Sequence, residues 1–284
     1  MYKIVKKECL NPYVTLMEIE APLIAKKAQP GQFIIFRIDE DGERVPLTIA
    51  DFDRENGTVT IIFQKVGKTT KHLDTLNEGD SILDFVGPLG TASHLDGCKK
   101  VIVVGGGLGT AIAYPQAKAL SQLGAEVTSI LGFRNKDLII LEDKVNAVSK
   151  ETTVMTDDGS NGNQGFVTQA LRNKIESEKD FDLVIAIGPL VMMKAVCDVT
   201  KEYGIKTIVS MNPIMIDGTG MCGGCRVTVG GETKFACVDG PDFDGHLVDF
   251  DSAIKRSRMF KDKEIESEKK HECRLLKQGE NKNV

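Results

Sequence analysis

The sequence contains no apolar run that approaches the ~20 residues needed for a helix to cross a bilayer. Residues 1–14, MYKIVKKECLNPYV, lack the apolar core of a signal peptide and have the pattern of a strand followed by a turn. The formal net charge is only −5, so bulk electrostatics give no reason to expect nucleic-acid binding. We therefore expect a cytoplasmic protein with neither membrane nor nucleic-acid partners.

A disulfide framework is also missing, because the seven cysteines are an odd number and most are scattered. Four of them stand alone, namely Cys9, Cys98, Cys197 and Cys273. Isolated cysteines are most often small buried apolar residues, so we assign these four no role. The other three, Cys222, Cys225 and Cys237, form a single cluster in the sequence.

The first third of the chain has the pattern of an antiparallel β-barrel. Residues 1–98 contain six short runs in which apolar and polar residues alternate, separated by Gly, Pro, Asn and Asp. Such regular spacing is typical of a small barrel. A short helix is expected between the last two runs, in KTTKHLDTL (68–76).

The pattern then changes to an alternation of strand and helix. Residues 99–212 predict an α/β domain with a mainly parallel sheet, in which VIVV (101–104) is a strand buried on both faces. Residues 213–255 place the cysteine cluster on glycine-rich loops, with a hairpin expected to turn at Gly230-Gly231. Residues 256–284 form a charged tail, expected to be helical at first and then frayed, that is either a solvated end or a partner-binding arm.

The cysteine cluster has the spacing of an iron–sulfur site with one substitution. Plant-type [2Fe–2S] proteins use Cys-x4-Cys-x2-Cys and a distant fourth cysteine. Here the pattern is Asp217-x4-Cys222-x2-Cys225-x11-Cys237, so a carboxylate occupies the first ligand position. We therefore predict that Asp217 and the three cysteines hold a [2Fe–2S] cluster.

Two alternatives to this cluster stay open. Asp217 is also the kind of residue that caps a glycine turn without binding metal. Three thiolates also suit a structural zinc site. The surrounding glycines favour iron–sulfur over zinc, because they let backbone amides approach bridging sulfides.

Two segments of the β half offer groups that suit a phosphate. RVPLTIAD (44–51) follows a strand, and FQKVGKTTKHL (63–73) places a glycine, two hydroxyls and a lysine just before a helical turn. Helix N-termini and exposed amides bind anions. Each segment is weak evidence alone and gains meaning from the α/β half that follows.

A glycine loop opens the α/β half. Gly105, Gly106, Gly107 and Gly109 lie directly after the buried strand and at the head of a predicted helix, where glycines permit close approach to a pyrophosphate. The G-x-G-x-x-G pattern fails at Thr110, and no acidic residue ends the next strand. Four glycines within five positions nevertheless favour a nucleotide loop over a tight turn without a ligand.

Together, the R-x-P-L-T segment, VGGGLGTA (104–111) and the C-terminal cluster resemble the ferredoxin–NADP reductase superfamily. Within it, residues 1–255 resemble the electron-transfer subunits of dihydroorotate dehydrogenase. The segment NPIMIDGTGMCGGCRVTVGGETKFACVDGPDFDGHLVDF is most similar to the small subunits of NADH-dependent reduced ferredoxin:NADP oxidoreductase, also called sulfide dehydrogenase small subunits. The Asp at position 217 is part of that likeness, since the dihydroorotate-type subunits have Cys there.

The resemblance implies roles for residues in all three regions. The residues implied for FAD are Arg44 near its pyrophosphate, Pro46, Leu47 and Thr48 at its isoalloxazine, and Gly67, Thr69 and Thr70 at its phosphates. Leu47 stands where many of these reductases have a stacking tyrosine. The residues implied for the nicotinamide nucleotide are Gly105, Gly106, Gly107, Gly109, Thr110 and Asp157, with Gly188, Pro189 and Met192 from GPLVMMK (188–194). The cluster ligands would be Asp217, Cys222, Cys225 and Cys237.

The implied function is electron transfer between NAD(H), FAD and a [2Fe–2S] cluster within an electron-bifurcating complex. Its partner would be a large subunit similar to the small chain of glutamate synthase, with another FAD, [4Fe–4S] clusters and a route to ferredoxin. A dihydroorotate dehydrogenase subunit, a sulfide dehydrogenase small subunit and a non-enzymatic zinc module remain alternatives. The residues do not decide between NAD and NADP, because Arg134 suits a 2′-phosphate without requiring one; the likeness favours NAD(H).

Overall fold

The computed structural model describes residues 1–267. Its first sheet has seven antiparallel strands in the order β6-β1-β2-β5-β4-β3-β7. The strands are β1 (Tyr2–Asn11), β2 (Val14–Glu20), β3 (Phe33–Arg37), β4 (Val45–Asp53), β5 (Thr58–Gln64), β6 (Ser81–Ile82) and β7 (Asp84–Leu89). The two outermost strands, β6 and β7, are separated in the chain by Leu83 alone, so the edges of the sheet meet and the barrel is nearly closed.

Alternating side chains fill this barrel. Val59, Ile61 and Phe63 of β5 point inward and are fully buried, as the period of two in the sequence predicts. Two short helices accompany the barrel, α1 (Pro22–Lys27) and α2 (Lys68–Thr75). The helix expected in 68–76 is therefore confirmed, whereas α1, which follows β2, was not predicted from the sequence.

The second sheet has six strands in the order β10-β9-β8-β11-β12-β15. The first five strands are parallel, and β15 pairs antiparallel with β12. The strands are β8 (Lys100–Gly106), β9 (Glu126–Phe133), β10 (Glu151–Thr156), β11 (Leu183–Ile187), β12 (Thr207–Ser210) and β15 (Asp242–Asp244). The helices of this part are α3 (Gly109–Gln122), α4 (Glu142–Asn146), α5 (Val167–Ser177) and α6 (Leu190–Glu202), and a 3₁₀ turn covers Lys136–Leu138. The predicted α/β class is confirmed.

The cluster segment consists of loops and one hairpin, and it returns to the second sheet. Strands β13 (Arg226–Val229) and β14 (Glu232–Phe235) pair antiparallel, and both residues of the intervening Gly230-Gly231 turn have positive φ. That conformation suits glycine and confirms the expected turn. Helix α7 (Phe250–Ser257) follows β15. The frayed end predicted for the tail falls on residues 268–284, which lie outside the described residues.

The barrel packs directly on the α/β part. Val14, Leu16, Ala50 and Ile62 share one buried cluster with apolar side chains of α3 and β9. Beside it, Lys118 Nζ of α3 lies 2.8 Å from Asp51 Oδ1 of β4. Within residues 1–267, no helix combines the length and the apolar character required to span a membrane.

Candidate functional site

A cleft of about 760 Å³ lies between the barrel and the carboxyl ends of the five parallel strands. In open α/β sheets, ligands bind outside this edge. From the sheet side, the cleft is lined by Gly106, Gly107, Gly109, Phe133, Arg134, Asp157, Phe166, Thr168, Gly188, Pro189, Met192, Ser210 and Asn212. From the barrel side, it is lined by Asn11, Tyr13, Val14 and Gln64.

The four glycines of the loop have different physical roles. Gly107 has φ +54° and turns the chain from β8 into α3, and a Cβ there would meet no atom within 4 Å. A Cβ on Gly109 would lie 2.3 Å from the Ile187 carbonyl oxygen, so this glycine lets α3 approach β11. A Cβ on Gly106 would collide with Met192 Sδ at 2.3 Å. Helix–strand packing therefore requires part of the glycine pattern.

Seven of the nine residues predicted for the nicotinamide nucleotide line the cleft, namely Gly106, Gly107, Gly109, Asp157, Gly188, Pro189 and Met192. Gly105 and Thr110 do not line the cleft and lie behind the residues that do. Thr110 is fully buried, and a Cβ on Gly105 would meet its Oγ1 at 3.0 Å. The two residues therefore contact each other rather than the open cleft.

Several lining residues were not predicted from the sequence. Ser210 is the last residue of β12 and Asn212 lies two residues beyond it, so the rule that ligands bind at the carboxyl ends of parallel strands is the signal that could have found them. Tyr13 and Phe166 are exposed aromatic residues on opposite sides of the cleft. Asn11 joins the two sides, since its Nδ2 donates to the Leu138 carbonyl oxygen at 3.4 Å. Barrel residues escaped prediction because they reach the cleft only through domain packing.

Two opposite charges lie at the ends of neighbouring strands in this cleft. Arg134 follows β9 and Asp157 follows β10, and both side chains are exposed. The Asp157 backbone N–H donates to the Phe133 carbonyl oxygen at 3.0 Å, which holds the two strand ends together. The cleft therefore offers a carboxylate for sugar hydroxyls and a guanidinium for a phosphate in adjacent positions.

The flavin residues implied by the resemblance occupy two neighbouring places on the barrel. In β4, Leu47 packs against the barrel core, whereas Pro46 and Thr48 lie on the alternate face of the strand. At the start of α2, the N–H of the N-cap residue Gly67 donates to Thr70 Oγ1 at 3.1 Å. Thr69 Oγ1 donates to Glu43 Oε2 at 2.9 Å, which brings the exposed neighbour Arg44 close to the helix N-terminus.

That N-terminus fits a phosphate in part. The first N–H groups of a helix have no acceptor within it, and a Cβ on Gly67 would meet no atom within 4 Å. Backbone amides are thus accessible next to Arg44, as an anion site requires. The Thr69 hydroxyl already donates its proton to the Glu43 carboxylate, so it cannot donate to a phosphate at the same time.

The four predicted cluster ligands occur as two pairs. Cys225 Sγ and Cys237 Sγ lie 3.2 Å apart and are buried. Cys222 Sγ lies 3.4 Å from Asp217 Oδ1; Cys222 is exposed and Asp217 is half-buried. Within residues 1–267, no three acidic, cysteine or histidine side chains converge closely enough to be a metal-ion site. The sequence spacing therefore produces paired rather than fully converged ligands.

A backbone amide contacts one sulfur of each pair. The Gly224 N–H donates to Cys222 Sγ at 3.4 Å, and a backbone bond from Gly220 lowers the pKa of Cys237. Burial and the neighbouring Cys225 outweigh it and raise the pKa of Cys237 to about 12. Paired ligands and N–H groups directed at sulfur fit an iron–sulfur cluster.

Asp217 also caps the glycine turn, as the alternative expectation stated. Its Oδ1 accepts from the Thr219 N–H at 3.1 Å, and its Oδ2 accepts from the Cys222 N–H at 3.0 Å. These backbone bonds hold the pKa of Asp217 below its usual value, Thr219 contributing most. The same carboxylate touches Cys222 Sγ, so capping and metal ligation are compatible roles.

The barrel, the cleft and the sulfur pairs define a reductase of the ferredoxin–NADP reductase type with an added iron–sulfur segment. Comparisons with known sequences support both parts. Residues 103–198 match the oxidoreductase NAD-binding domain, and residues 212–249 match the iron–sulfur cluster binding domain of dihydroorotate dehydrogenase B. The chain is thus an oxidoreductase component with a nicotinamide-nucleotide domain and an iron–sulfur domain.

Curated relatives cover nearly the whole chain. A Thermotoga maritima protein described as a homolog of the dihydroorotate dehydrogenase B (NAD(+)) electron transfer subunit is 47% identical, with 92% of each chain covered. A Clostridium beijerinckii protein described as uncharacterized, in the adh 3′ region, is 54% identical over 93% of this chain and 92% of its own. The chain belongs to the family of dihydroorotate dehydrogenase B electron-transfer subunits and their homologues.

Solved structures agree with this assignment. A chain from the structure of the NADH-dependent reduced ferredoxin–NADP oxidoreductase, described in relation to flavin-based electron bifurcation, has a TM-score of 0.90 and 46% identity, covering 97% of this chain and 98% of its own. The ferredoxin reductase of carbazole 1,9a-dioxygenase has a TM-score of 0.62 at 18% identity, covering 72% of this chain and 65% of its own. The second likeness shows the fold alone.

Proposed function

We propose that this chain is the flavin and [2Fe–2S] electron-transfer subunit of an electron-bifurcating, NADH-dependent reduced ferredoxin:NADP oxidoreductase. The observation that carries this proposal is the joining of the nucleotide cleft and the cluster segment in one sheet. Strand β15 of the cluster segment pairs with β12, whose end lines the cleft. The 46% identity to a bifurcating oxidoreductase chain over 97% of the length supports the same function.

In this proposal the cleft binds NAD(H). The loop from Gly106 to Gly109 offers backbone amides at the start of α3 to the pyrophosphate. Gly188 lies so close to Gly106 that a Cβ on it would approach the Gly106 Cα at 3.1 Å, which keeps this wall flat. Asp157 accepts hydrogen bonds from ribose hydroxyls, while Arg134 remains available to a phosphate.

The proposed FAD site lies on the outer face of the barrel. Pro46 and Thr48 face the isoalloxazine, and Leu47 supports them from the barrel core rather than stacking on the ring. Arg44 and the backbone around Gly67, Thr69 and Thr70 hold the phosphates. The chemistry that FAD supplies when bound is the conversion between hydride transfer and single-electron transfer.

The proposed cluster ligands are Asp217 and Cys222 on one iron, and Cys225 and Cys237 on the other. Each pair is already in contact, at 3.4 Å and 3.2 Å respectively. The Cys225–Cys237 pair is buried, whereas the other pair reaches the surface through Cys222. The chemistry that the cluster supplies is one-electron transfer, and the Cys222 side would be the side nearest to an electron-transfer partner.

The proposed partner is a large subunit with its own flavin and [4Fe–4S] clusters, similar to the small chain of glutamate synthase, through which ferredoxin is reached. Exposed apolar side chains flank Asp217 and Cys222 in the chain, in particular Met221, which is 88% exposed, Ile214 and Ile216. Exposed apolar groups of this kind are typical of protein interfaces. A partner subunit would cover them.

One alternative has direct support. The descriptions of the matched iron–sulfur domain and of the Thermotoga relative both name dihydroorotate dehydrogenase B. An electron-transfer subunit of that enzyme is therefore the second candidate. Asp217 counts against it, because Cys stands at this position in the dihydroorotate-type subunits. A sulfide dehydrogenase small subunit shares the Asp and differs only in the reaction of the complex.

The deciding experiment is anaerobic affinity purification of the chain from its native cells, with mass spectrometry of the bound proteins. A large subunit similar to the glutamate synthase small chain supports the proposal. A dihydroorotate dehydrogenase catalytic chain overturns it in favour of the second candidate. A visible spectrum of the purified complex also tests the cofactors, because zinc alone is colourless.

A further inference from the structure

A buried carboxylate lies where the cluster segment meets the cleft wall. Asp242 begins β15, directly opposite Ser210 of β12. Its Oδ2 accepts hydrogen bonds from Ser93 Oγ at 2.5 Å and from Gln116 Nε2 at 3.1 Å. The connector after the barrel, helix α3, strand β12 and the cluster segment therefore meet at one carboxyl group.

Two polar atoms of this arrangement lack a hydrogen-bond partner within residues 1–267. They are Asp242 Oδ1 and Gln116 Oε1, both buried, and the Gln116 side chain is 0% exposed. Native structures rarely leave a buried polar atom without a partner, so two of them on already bonded side chains are unusual. They are the remaining oxygens of the same amide–carboxyl pair.

A single proton satisfies both atoms. When an amide donates to one carboxyl oxygen, its own oxygen is free to face the other carboxyl oxygen. If that second oxygen is ionised, two acceptors oppose each other. If it carries a proton, Asp242 Oδ1–H donates to Gln116 Oε1 and closes a two-bond ring. Exchanging the nitrogen and oxygen of the Gln116 amide does not remove this conflict, because the amide oxygen would then oppose Asp242 Oδ2 instead of Oδ1.

The electrostatics agree with this geometry. Burial raises the pKa of Asp242, and it outweighs the bonds from Ser93, Ser210 and Gln116 and the charge of His94, which lower it. His94 is the only other titratable side chain among these contributors, and it is exposed.

We propose that Asp242 is a neutral carboxylic acid paired with the Gln116 amide, and that this pair positions Ser210 in the wall of the nucleotide cleft. Asp242 is a positioning residue, since it does not line the cleft itself. The positioning role rests on the proposed binding of NAD(H), whereas the protonation state does not. The two parts are therefore tested separately.

The protonation state is measured by infrared spectroscopy of the holoprotein labelled with [4-¹³C]aspartate. We expect a protonated carboxylic acid C=O band at neutral pH that is absent in Asp242→Asn. The matched control is Asp244→Asn, which removes an exposed carboxylate of the same strand and should leave the band unchanged. A spectrum with carboxylate bands only overturns the proposal, whatever the chain binds.

The positioning role is measured by NADH-dependent dye reduction with the same proteins. Asn imitates a neutral acid, donating to Gln116 Oε1 and accepting at its own oxygen, so Asp242→Asn should keep KM and kcat within about twofold. Asp242→Ala leaves Gln116 and Ser93 unpaired and should raise KM for NADH about tenfold at unchanged iron content, the effect of one buried hydrogen bond. Equal KM values for Asn and Ala overturn the positioning role.

Discussion

Cys225 and Cys237 place their Sγ atoms 3.2 Å apart although they are twelve positions apart in the chain. The β13–β14 hairpin accounts for this contact, since Arg226 and Phe235 pair across it and the cysteines flank its two ends. The Ala236 N–H donates to the Cys225 carbonyl oxygen at 3.1 Å and closes the base of the hairpin. Backbone pairing within the hairpin thus holds the two thiols together.

Removing one member of this pair should eliminate the cluster. We expect Cys225→Ala to lose the visible iron–sulfur absorbance and most of its iron, because one iron then lacks a buried thiolate. Iron content per chain and the visible spectrum are the measurements. Cys98→Ala is the matched control, as Cys98 is a free and partly buried cysteine in another part of the chain. Full iron content in Cys225→Ala would contradict the assigned ligand.

Asp217→Cys should retain the cluster and change its midpoint potential. A thiolate in place of a carboxylate alters the electron donation to one iron, and cluster potentials depend on ligand type and local charge. Potentiometry followed by electron paramagnetic resonance measures the change. Asp239→Asn is the control, because Asp239 accepts from the Phe235 N–H at 2.6 Å in the same segment without being a predicted ligand. An unchanged potential in Asp217→Cys would mean that Asp217 only caps the turn.

Two glycine substitutions should separate packing from cofactor binding. Gly109→Ala forces a Cβ to within 2.3 Å of the Ile187 carbonyl oxygen, and we expect it to destabilise the fold by about 1–3 kcal/mol. Gly67→Ala adds a Cβ in open space at φ −132°, so stability should change by less than about 0.5 kcal/mol. Chemical denaturation of both variants measures this difference.

The same Gly67→Ala variant tests the flavin site. If FAD phosphates approach this backbone closely, the added methyl group should lower the flavin content of the purified protein. Flavin fluorescence after denaturation gives the content. Unchanged flavin content in Gly67→Ala would place the phosphates elsewhere on the barrel.

Asp157 should influence the choice between NADH and NADPH. A carboxylate accepts from ribose hydroxyls and repels a 2′-phosphate, so Asp157→Asn should weaken NADH binding and reduce discrimination against NADPH by about tenfold. The ratio of kcat/KM for the two nucleotides is the measurement. Asp158→Asn is the control, because the Asp158 carboxylate accepts from the Ser160 N–H at 3.0 Å and does not line the cleft. Equal ratios in wild type and Asp157→Asn would assign the choice to another residue.

The pKa of Asp242 predicts a dependence of stability on pH. Its folded-state pKa is raised above the unfolded value of about 3.9, so its neutral form stabilises the fold fully below that pH. The contribution is lost as the pH rises through the folded pKa. Asp242→Asn cannot ionise and should gain stability relative to wild type as the pH increases. The measurement is the denaturation midpoint of both proteins at a series of pH values from below about 3.9 upward. A stability difference between them that does not change with pH would contradict the raised pKa.

Local patterns in the sequence predicted much of the fold. Alternation in β5 and the unbroken apolar run of β8 identified a barrel strand and a buried parallel strand. The Gly230-Gly231 turn followed from the conformational freedom of glycine. The return of β15 to the second sheet was not foreseen, because Asp242–Asp244 is three residues long and its pairing partner is distant in sequence.

The site was predictable only where one segment supplies it. Asp217 and Cys222 lie in one loop, so spacing alone brought them together in the prediction. Tyr13 reaches the cleft only because the barrel packs on the α/β part, and short-range patterns contain no such information. The Asp242–Gln116 pair joins positions 126 apart, in the cluster segment and in helix α3, so short-range patterns could not predict it either.

Strand β15 also protects an open edge. Without it, the N–H and C=O groups of Thr207–Ser210 would face solvent along the border of a parallel sheet, where any extended chain could add to them. The segment that ligates metal thus also shields the reductase from self-association. A loss of iron that loosened this segment would therefore reduce solubility as well as electron transfer.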